Sequence, residues 1–424
     1  MIKRAEIEIV LLEEPPNFKP EQFIDDGFYQ AALKVLAGEP GARYKEGVME
    51  AKSRSLEDIK NDIERRAGRI NPFERVDRKE VEELLGRLTS LDPDLWGREW
   101  GKLGARYEAN AQELENLGKK EAGEAYYQAY EYYRIGRYPV PSSVEKMNCY
   151  KGALRSFVKA APYFDPPLER IEIPFEGKKV VGYLQIPRGV DRPPVVMHWG
   201  GVDGWKEDRM SNSEVFHKEG LATFTIDMPG AGENPCLGQE LRAERTFSAA
   251  IDYLETCNDI DGKRIAVMGG SFGGYWATKV AHVEAKRLRG AVNWGAGCHR
   301  TFQEEWLRPA LTETASQYLM GPASLLDARS YIFGVKNLEE VLQIAPSLSL
   351  LTQGIIDRPS APLLCINGKE DDQHPISDLY LLAEHGSPKD IRIIPDAGHM
   401  GRKPGQSNDE AQHIITRWLK EKLS

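Results

Sequence analysis

Cysteine is scarce in this chain: Cys149, Cys236, Cys257, Cys298 and Cys365 are five among 424 residues, an odd and scattered set with no C-x-x-C spacing. That pattern suggests neither a zinc site nor a disulfide framework. Basic charge is also short, with 56 Lys+Arg against 65 Asp+Glu and a net charge of −9. Phosphate backbones are bound by basic faces, so no nucleic-acid partner is expected. No window approaches the roughly 18 apolar residues of a membrane span, so no membrane partner is expected either. Residues 1–6 lack the apolar core of a signal peptide, and reduced cytoplasm is the expected compartment.

The remaining composition is ordinary for a globular protein, at 41% hydrophobic and 29% charged. The length suits two domains, or one large domain with an appendage. The chain changes character near residue 165. Before it, residues 55–67, 78–91, 113–133 and 143–161 carry apolar residues at three- and four-residue spacing, the helical signature. Tyr126, Tyr127, Tyr130, Tyr132 and Tyr133 crowd one of these segments. Core packing explains them better than a ligand box. After Phe164-Asp165-Pro166-Pro167 the rhythm becomes strand–helix–strand. Residues 171–175 and 180–187 read as an antiparallel pair. Residues 194–199, 222–227, 264–268, 290–294, 363–367 and 391–394 are short apolar runs of the buried parallel type, with helices near 240–256, 272–285 and 410–422. The expected fold class is α/β, a doubly wound and mostly parallel sheet with ligands at the carboxyl ends of its strands. A helical amino-terminal domain (1–165) precedes the sheet domain (166–424). Residues 296–355 are too long for a plain crossover and are expected to form a helical cap insertion.

The chemistry is concentrated at Gly269-Gly270-Ser271-Phe272-Gly273. A G-x-S-x-G run between a buried strand and a helix is the context of a nucleophile elbow. A serine hydroxyl needs a base to take its proton, and the base needs an orienting acid. In this fold the partners follow the serine in the order acid, then histidine. The run 363–367 leads into Gly368-Lys369-Glu370-Asp371-Asp372, which makes Asp371 the expected acid with Asp372 its rival. The run 391–394 leads into Pro395-Asp396-Ala397-Gly398-His399, just ahead of the closing helix. Of eight histidines only His399 holds that position; His198 is a possible lining residue, and His299 and His374 are possible pocket residues. The expected oxyanion donors are the Phe272 amide and one from His198-Trp199-Gly200-Gly201-Val202-Asp203-Gly204, either Gly201 or Val202. Trp199, Trp205, Trp306 and Phe272 are candidate pocket aromatics with a core role as the alternative, and Asp203 is a candidate substrate contact.

These residues resemble the α/β-hydrolase superfamily. The runs Cys149–Phe157, Asp165–Gly177 and Gly200–Glu207 narrow the resemblance to a group with helices ahead of the hydrolase core. It includes the bacterial dihydroxypseudooxynicotine hydrolase and the fungal hydrolases that shorten polyketides, with the fermentation/respiration switch protein more distant. The resemblance covers about residues 110–424. It implies cleavage of a carbon–carbon bond next to a ketone, or of an ester, in a medium-sized aromatic or polyketide-like small molecule. It also implies an amino-terminal lid and a homodimer. Some members use a further acidic residue beyond the strand after the nucleophile helix; Glu304 and Glu305 lie in that region, and a solvated helix start accounts for Glu304 equally well. No metal or organic cofactor is called for. A plain carboxylesterase is the nearest alternative, and a non-catalytic binding or regulatory protein on the same scaffold is the alternative from another class. A prolyl-peptidase-like enzyme would carry a β-rich partner domain, whereas residues 1–165 read as helical.

Overall fold

The computed structural model describes residues 54–315, 317–386, 389–407 and 409–424. Residues 1–53 of the expected helical leader lie outside the described residues. The described part of the leader forms helices Leu56–Arg66 (α1), Arg78–Arg87 (α2), Pro93–Asn116 (α3), Ala122–Arg137 (α4) and Val144–Ala160 (α5). Four of their starts are capped: the side chains of Ser55, Asp77, Asp92 and Ser143 each accept an amide N–H of the first turn. The single helix expected over 113–133 is instead two. The chain breaks at Gly118, whose φ of +67° closes α3 as a left-handed residue after its end. The tyrosines of α4 are all buried, as packing residues would be.

Eight strands form one sheet in the order β1-β2-β4-β3-β5-β6-β7-β8. Leu168–Phe175 (β1) and Lys178–Gln185 (β2) are the antiparallel edge pair. Along β1 the residues Leu168, Ile171, Ile173 and Phe175 are buried while Glu169, Glu172 and Pro174 face solvent, the alternation of a one-sided strand. The central strands Val195–Trp199 (β3), Ala222–Ile226 (β4) and Ile265–Gly270 (β5) are buried at every position. Helices cover both faces there, so both side-chain parities are buried, including Thr223, Thr225 and His198. Leu288–Trp294 (β6), Leu363–Gly368 (β7) and Lys389–Ile394 (β8) continue in parallel. The chain leaves β3 toward β4 and returns on its other side as β5. Their carboxyl ends therefore sit at the topological switch point, where open α/β sheets bind ligands. The fold is the α/β-hydrolase doubly wound sheet.

Between β6 and β7 the regular elements among the described residues are all helical, with Glu304–Pro309 (α9), Pro322–Phe333 (α10) and Leu338–Ile344 (α11) joined by turns and irregular segments; α6 (Met210–Lys218), α7 (Arg245–Thr256) and α8 (Gly273–Val283) precede it. One buried carboxylate anchors its beginning. Asp378 is 1% exposed and accepts the amides of Cys298 (2.9 Å), His299 (3.1 Å), Arg300 (2.8 Å) and Thr301 (3.1 Å). Removing the acceptor leaves buried donors without partners, each costing about 1–3 kcal/mol. Asp378→Ala is therefore expected to destabilise the fold by about 3 kcal/mol or more in urea titrations, and a loss below about 1 kcal/mol would contradict this role.

Candidate active site

Strand β5 delivers its buried residues straight into the turn that carries Ser271. A Cβ on Gly269 would meet the Gly273 carbonyl oxygen at 2.0 Å, and one on Gly273 would meet the Gly200 carbonyl oxygen at 2.1 Å. Neither glycine has a positive φ, so space is what these positions require. The positive φ, +52°, belongs to Ser271 itself. An L residue held there carries about 1–3 kcal/mol of strain, which the surrounding bonds must sustain. Ser271 N–H donates to the Trp294 carbonyl and Gly274 N–H donates to the Ser271 carbonyl, both at 2.8 Å.

His399 Nε2 lies 2.8 Å from Ser271 Oγ, and His399 Nδ1 lies 2.8 Å from Asp371 Oδ2. The three side chains come from loops after β5, β7 and β8 and meet at the carboxyl edge of the sheet. Asp371 also accepts Asn367 Nδ2 at 2.7 Å and the amides of Gln373 (2.8 Å) and His374 (3.2 Å). Burial alone would raise its carboxyl pKa. The charge and hydrogen bond of His399, with His374 and the Asn367 amide, outweigh that and hold it below the usual carboxylate value. Asp372, the alternative acid, accepts the Gln317 amide at 2.9 Å instead.

The loop after β3 passes directly over the serine. A Cβ on Gly201 would meet Ser271 Cβ at 2.7 Å, so only glycine permits this approach. Among the described residues the amides of Gly201, Val202 and Phe272 have no hydrogen-bond acceptor. The Phe272 side chain is buried between Tyr275, Phe302 and Phe333, with the Arg329 guanidinium 4.2 Å above its ring. Arg137 of α4 braces the loop. It donates to the Asp203 carbonyl at 3.0 Å and to Asp208 Oδ2 at 2.7 Å, and it lies 4.0 Å over the Trp205 ring.

A cavity of about 350 Å³ opens above Ser271 and His399 and is lined further by Gly201, Asp203, Tyr318 and Gln373. Asp203 thus reaches it, and the other candidate substrate contacts do not. Trp199 is fully buried behind the elbow, where its Nε1 donates to the Gly273 carbonyl and its ring packs on Phe247. Trp205 is buried against Tyr150 and joins the leader to the loop. Glu304 is exposed and paired with Arg308, the solvated helix start. Trp306 lies off the cavity wall, with Nε1 3.4 Å from the Gln373 carbonyl. His198 points to the opposite face of the sheet, against Phe216 and Ser213. His299 lies off the wall as well, 2.7 Å from Ser349 Oγ. His374 is buried behind His399, the two rings stacked 5.5 Å apart.

The family model for esterase FrsA-like proteins matches residues 63–424. The chain belongs to this family. Esterase FrsA-like sequences are accordingly among its relatives: Esterase FrsA of Vibrio cholerae is 25% identical over 378 residues, covering 83% of this chain and 86% of that protein. The 2,6-dihydropseudooxynicotine hydrolase of Paenarthrobacter nicotinovorans is 30% identical over 205 residues, 47% of this chain and 54% of that protein. A solved structure of 2,6-dihydroxy-pseudo-oxynicotine hydrolase superposes with a TM-score of 0.68 at 22% identity, covering 86% of this chain and 95% of that one. This member of the esterase FrsA-like family is thus an α/β-hydrolase enzyme. Two residues beside its candidate triad escaped the sequence reading. Asn367, the last polar residue of β7, donates to Asp371 and accepts the amides of Gly368 and Met400, tying the acid loop to the histidine loop. Gln317 accepts the His399 amide at 3.1 Å and donates to the Glu370 carbonyl at 2.9 Å, although it lies in the helical insertion.

Proposed function

We propose that this enzyme is a serine hydrolase in which Ser271 is the nucleophile, His399 the general base and Asp371 the orienting acid. The reading is carried by the His399 ring, which lies 2.8 Å from the serine hydroxyl on one side and 2.8 Å from the carboxylate on the other. His399 takes the serine proton as Ser271 attacks a substrate carbonyl. The amides of Phe272 and of Gly201 or Val202 hold the developing oxyanion, each donor contributing about 3 kcal/mol. His399 then protonates the leaving group, and water releases the acyl group by the reverse sequence.

Two leaving groups fit this chemistry: a carbanion or enol beside a ketone, and an alkoxide. The first, a C–C bond hydrolase for a medium-sized aromatic or polyketide-like substrate, is what the family resemblance implies, and a likeness to a protein named 2,6-dihydropseudooxynicotine hydrolase supports the resemblance. The second, a carboxylesterase, is favoured by a likeness to proteins named esterase that spans 83% of the chain. The leader helices through residue 165, as an amino-terminal domain, and the insertion 296–355 act as lid and cap. The five cysteines are free, which suits a cytoplasmic enzyme, and no helix among the described residues is long and apolar enough to cross a membrane. We carry the homodimer into this reading from the family resemblance.

A fluorophosphonate probe tests the mechanism. It is expected to label Ser271 in the folded enzyme, with peptide mapping placing the adduct on that residue. An unlabelled Ser271 would favour the binding-protein alternative. Parallel assays on 4-nitrophenyl esters and on β-diketones then separate the two leaving groups.

A further inference from the structure

The chain is acidic overall, yet the wall of the cavity above Ser271 is rich in arginine: Arg66, Arg69, Arg134, Arg137, Arg209 and Arg402 all line it. Three of the six are matched by carboxylates, and Arg69 is solvent-exposed and donates to the Arg65 carbonyl. Arg134 pairs with Glu131 at 2.6 Å, Arg137 with Asp208 at 2.7 Å, and Arg66 with Asp62 at 3.1 Å. Arg209 and Arg402 have no ion pair among the described residues, and each has a buried Nε with no hydrogen-bond acceptor. Asp203 is the carboxylate whose field reaches both, and Asp208, the other one near Arg209, is already held by Arg137 and by the Trp205 amide. Arg402 also feels Arg66 as a like charge and, more weakly, Asp62 as an opposite one, but Asp62 is already paired with Arg66. Burial pushes both guanidinium groups below the usual arginine value. A fold that keeps two cations partly desolvated and unmatched maintains them against their own hydration, since such groups are ordinarily paired.

Their origins place them at the site. Arg402 follows His399 by three residues on the same loop, where its carbonyl accepts the Gly398 amide at 2.9 Å. Arg209 lies against the loop that carries Gly201: a Cβ on Gly204 would sit 2.7 Å from Arg209 Nη2. Two of the loops that build the candidate site thus each supply one unmatched guanidinium to the cavity. Guanidinium groups present a planar fork of donors suited to carboxylate and phosphate oxygens.

We propose that Arg209 and Arg402 form a subsite for an oxyanionic group on the substrate, a carboxylate or a phosphate, held above Ser271 while the serine attacks a carbonyl elsewhere in the same molecule. The proposal rests on the serine-hydrolase reading and deepens it: the substrate is an anionic ester or ketone rather than a neutral one.

The test compares 4-nitrophenyl hemiglutarate with 4-nitrophenyl valerate, two esters of one chain length that differ in a terminal carboxylate. The native enzyme is expected to prefer the hemiglutarate by at least about tenfold in kcat/KM, the size of one charge-assisted contact. The ratio is then measured in R209Q, R402Q and the double variant, and is expected to collapse toward one in the last. Equal turnover of the two esters by native enzyme, or a preference that survives both substitutions, would overturn the subsite. Calorimetric titration at constant ionic strength with glutarate and with inorganic phosphate reads the subsite without turnover. Tighter binding of glutarate identifies a carboxylate, tighter binding of phosphate a phosphoryl group, and in either case the double variant should lose at least about tenfold in affinity. No binding of either anion to native enzyme, or binding the double variant retains, would overturn it. An enzyme that hydrolyses valerate through Ser271 without preferring the charged ester loses the subsite and keeps the triad. An enzyme that binds glutarate through both arginines while Ser271 stays unlabelled keeps the subsite and loses the triad.

Discussion

Ser271→Ala should lower kcat/KM on any hydrolysed ester or diketone by about 10⁴- to 10⁶-fold, the usual scale for deleting a triad nucleophile. The loss should appear in kcat, because the serine oxygen acts in the transition state and contributes little to ground-state binding. The fold should survive. Ser271 contacts its neighbours through backbone bonds to Trp294 and Gly274 that alanine retains. Alanine also tolerates the +52° φ no worse than serine does. A thermal transition within a few degrees of native, combined with lost turnover and lost fluorophosphonate labelling, is the expected result. Full turnover by this variant would remove the mechanism.

Stability should fall steeply as pH drops from about 6.5 toward 4, through histidines that the fold holds neutral. His198 and His374 are driven well below the usual imidazole value, first by burial and then by the nearby cations Arg209 and Arg329 respectively. His217 and His282 are lowered to about 4, both chiefly by burial. In each case the folded pKa lies below the unfolded one, so between the two the unfolded chain binds more protons and acid favours unfolding. The stabilising contribution is complete above the ordinary histidine pKa and is lost as pH falls. Each such histidine should cost on the order of 2 kcal/mol between pH 7 and pH 5, a large fraction of a typical domain's stability. Asp371 adds to the same trend at lower pH, because its depressed carboxyl loses its contribution as it protonates. Urea titrations at pH 7 and pH 5 measure the sum. The slope should be shallower in His282→Gln, which keeps a donor toward the Arg358 carbonyl that His282 Nδ1 now approaches at 2.9 Å. A flat stability profile across this range would contradict the account.

The strand positions and the elbow were legible in the sequence because buried parallel strands are unbroken apolar runs and because glycines flanked Ser271 on both sides. The expectation of Asp371, with Asp372 as its rival, and of His399 came from strand ends taken together with the chain order serine, acid, histidine. What the sequence left hidden has two physical origins. Strand β3 is buried at all five positions, so its alternation carries no signal of facing. Trp199 and His198 were therefore equal candidates for the cavity, and neither lines it. The second origin is sequence distance. Gln317 meets His399 across 82 residues, and Arg137 meets Asp203 across 66. No local pattern records such contacts, because they depend on how the insertion and the leader settle on the sheet. The split of the expected helix over 113–133 was a nearer miss, since Gly118 marked the stop.

The hold of Arg137 on the loop after β3 has a practical corollary for anyone wishing to miniaturise the molecule. A shortened chain, pared back to the eight strands and their crossovers, would keep all three side chains of the proposed triad and yet leave the Gly201 segment unbraced. Leader and loop form a single exchangeable cassette, and chimeras should swap them together.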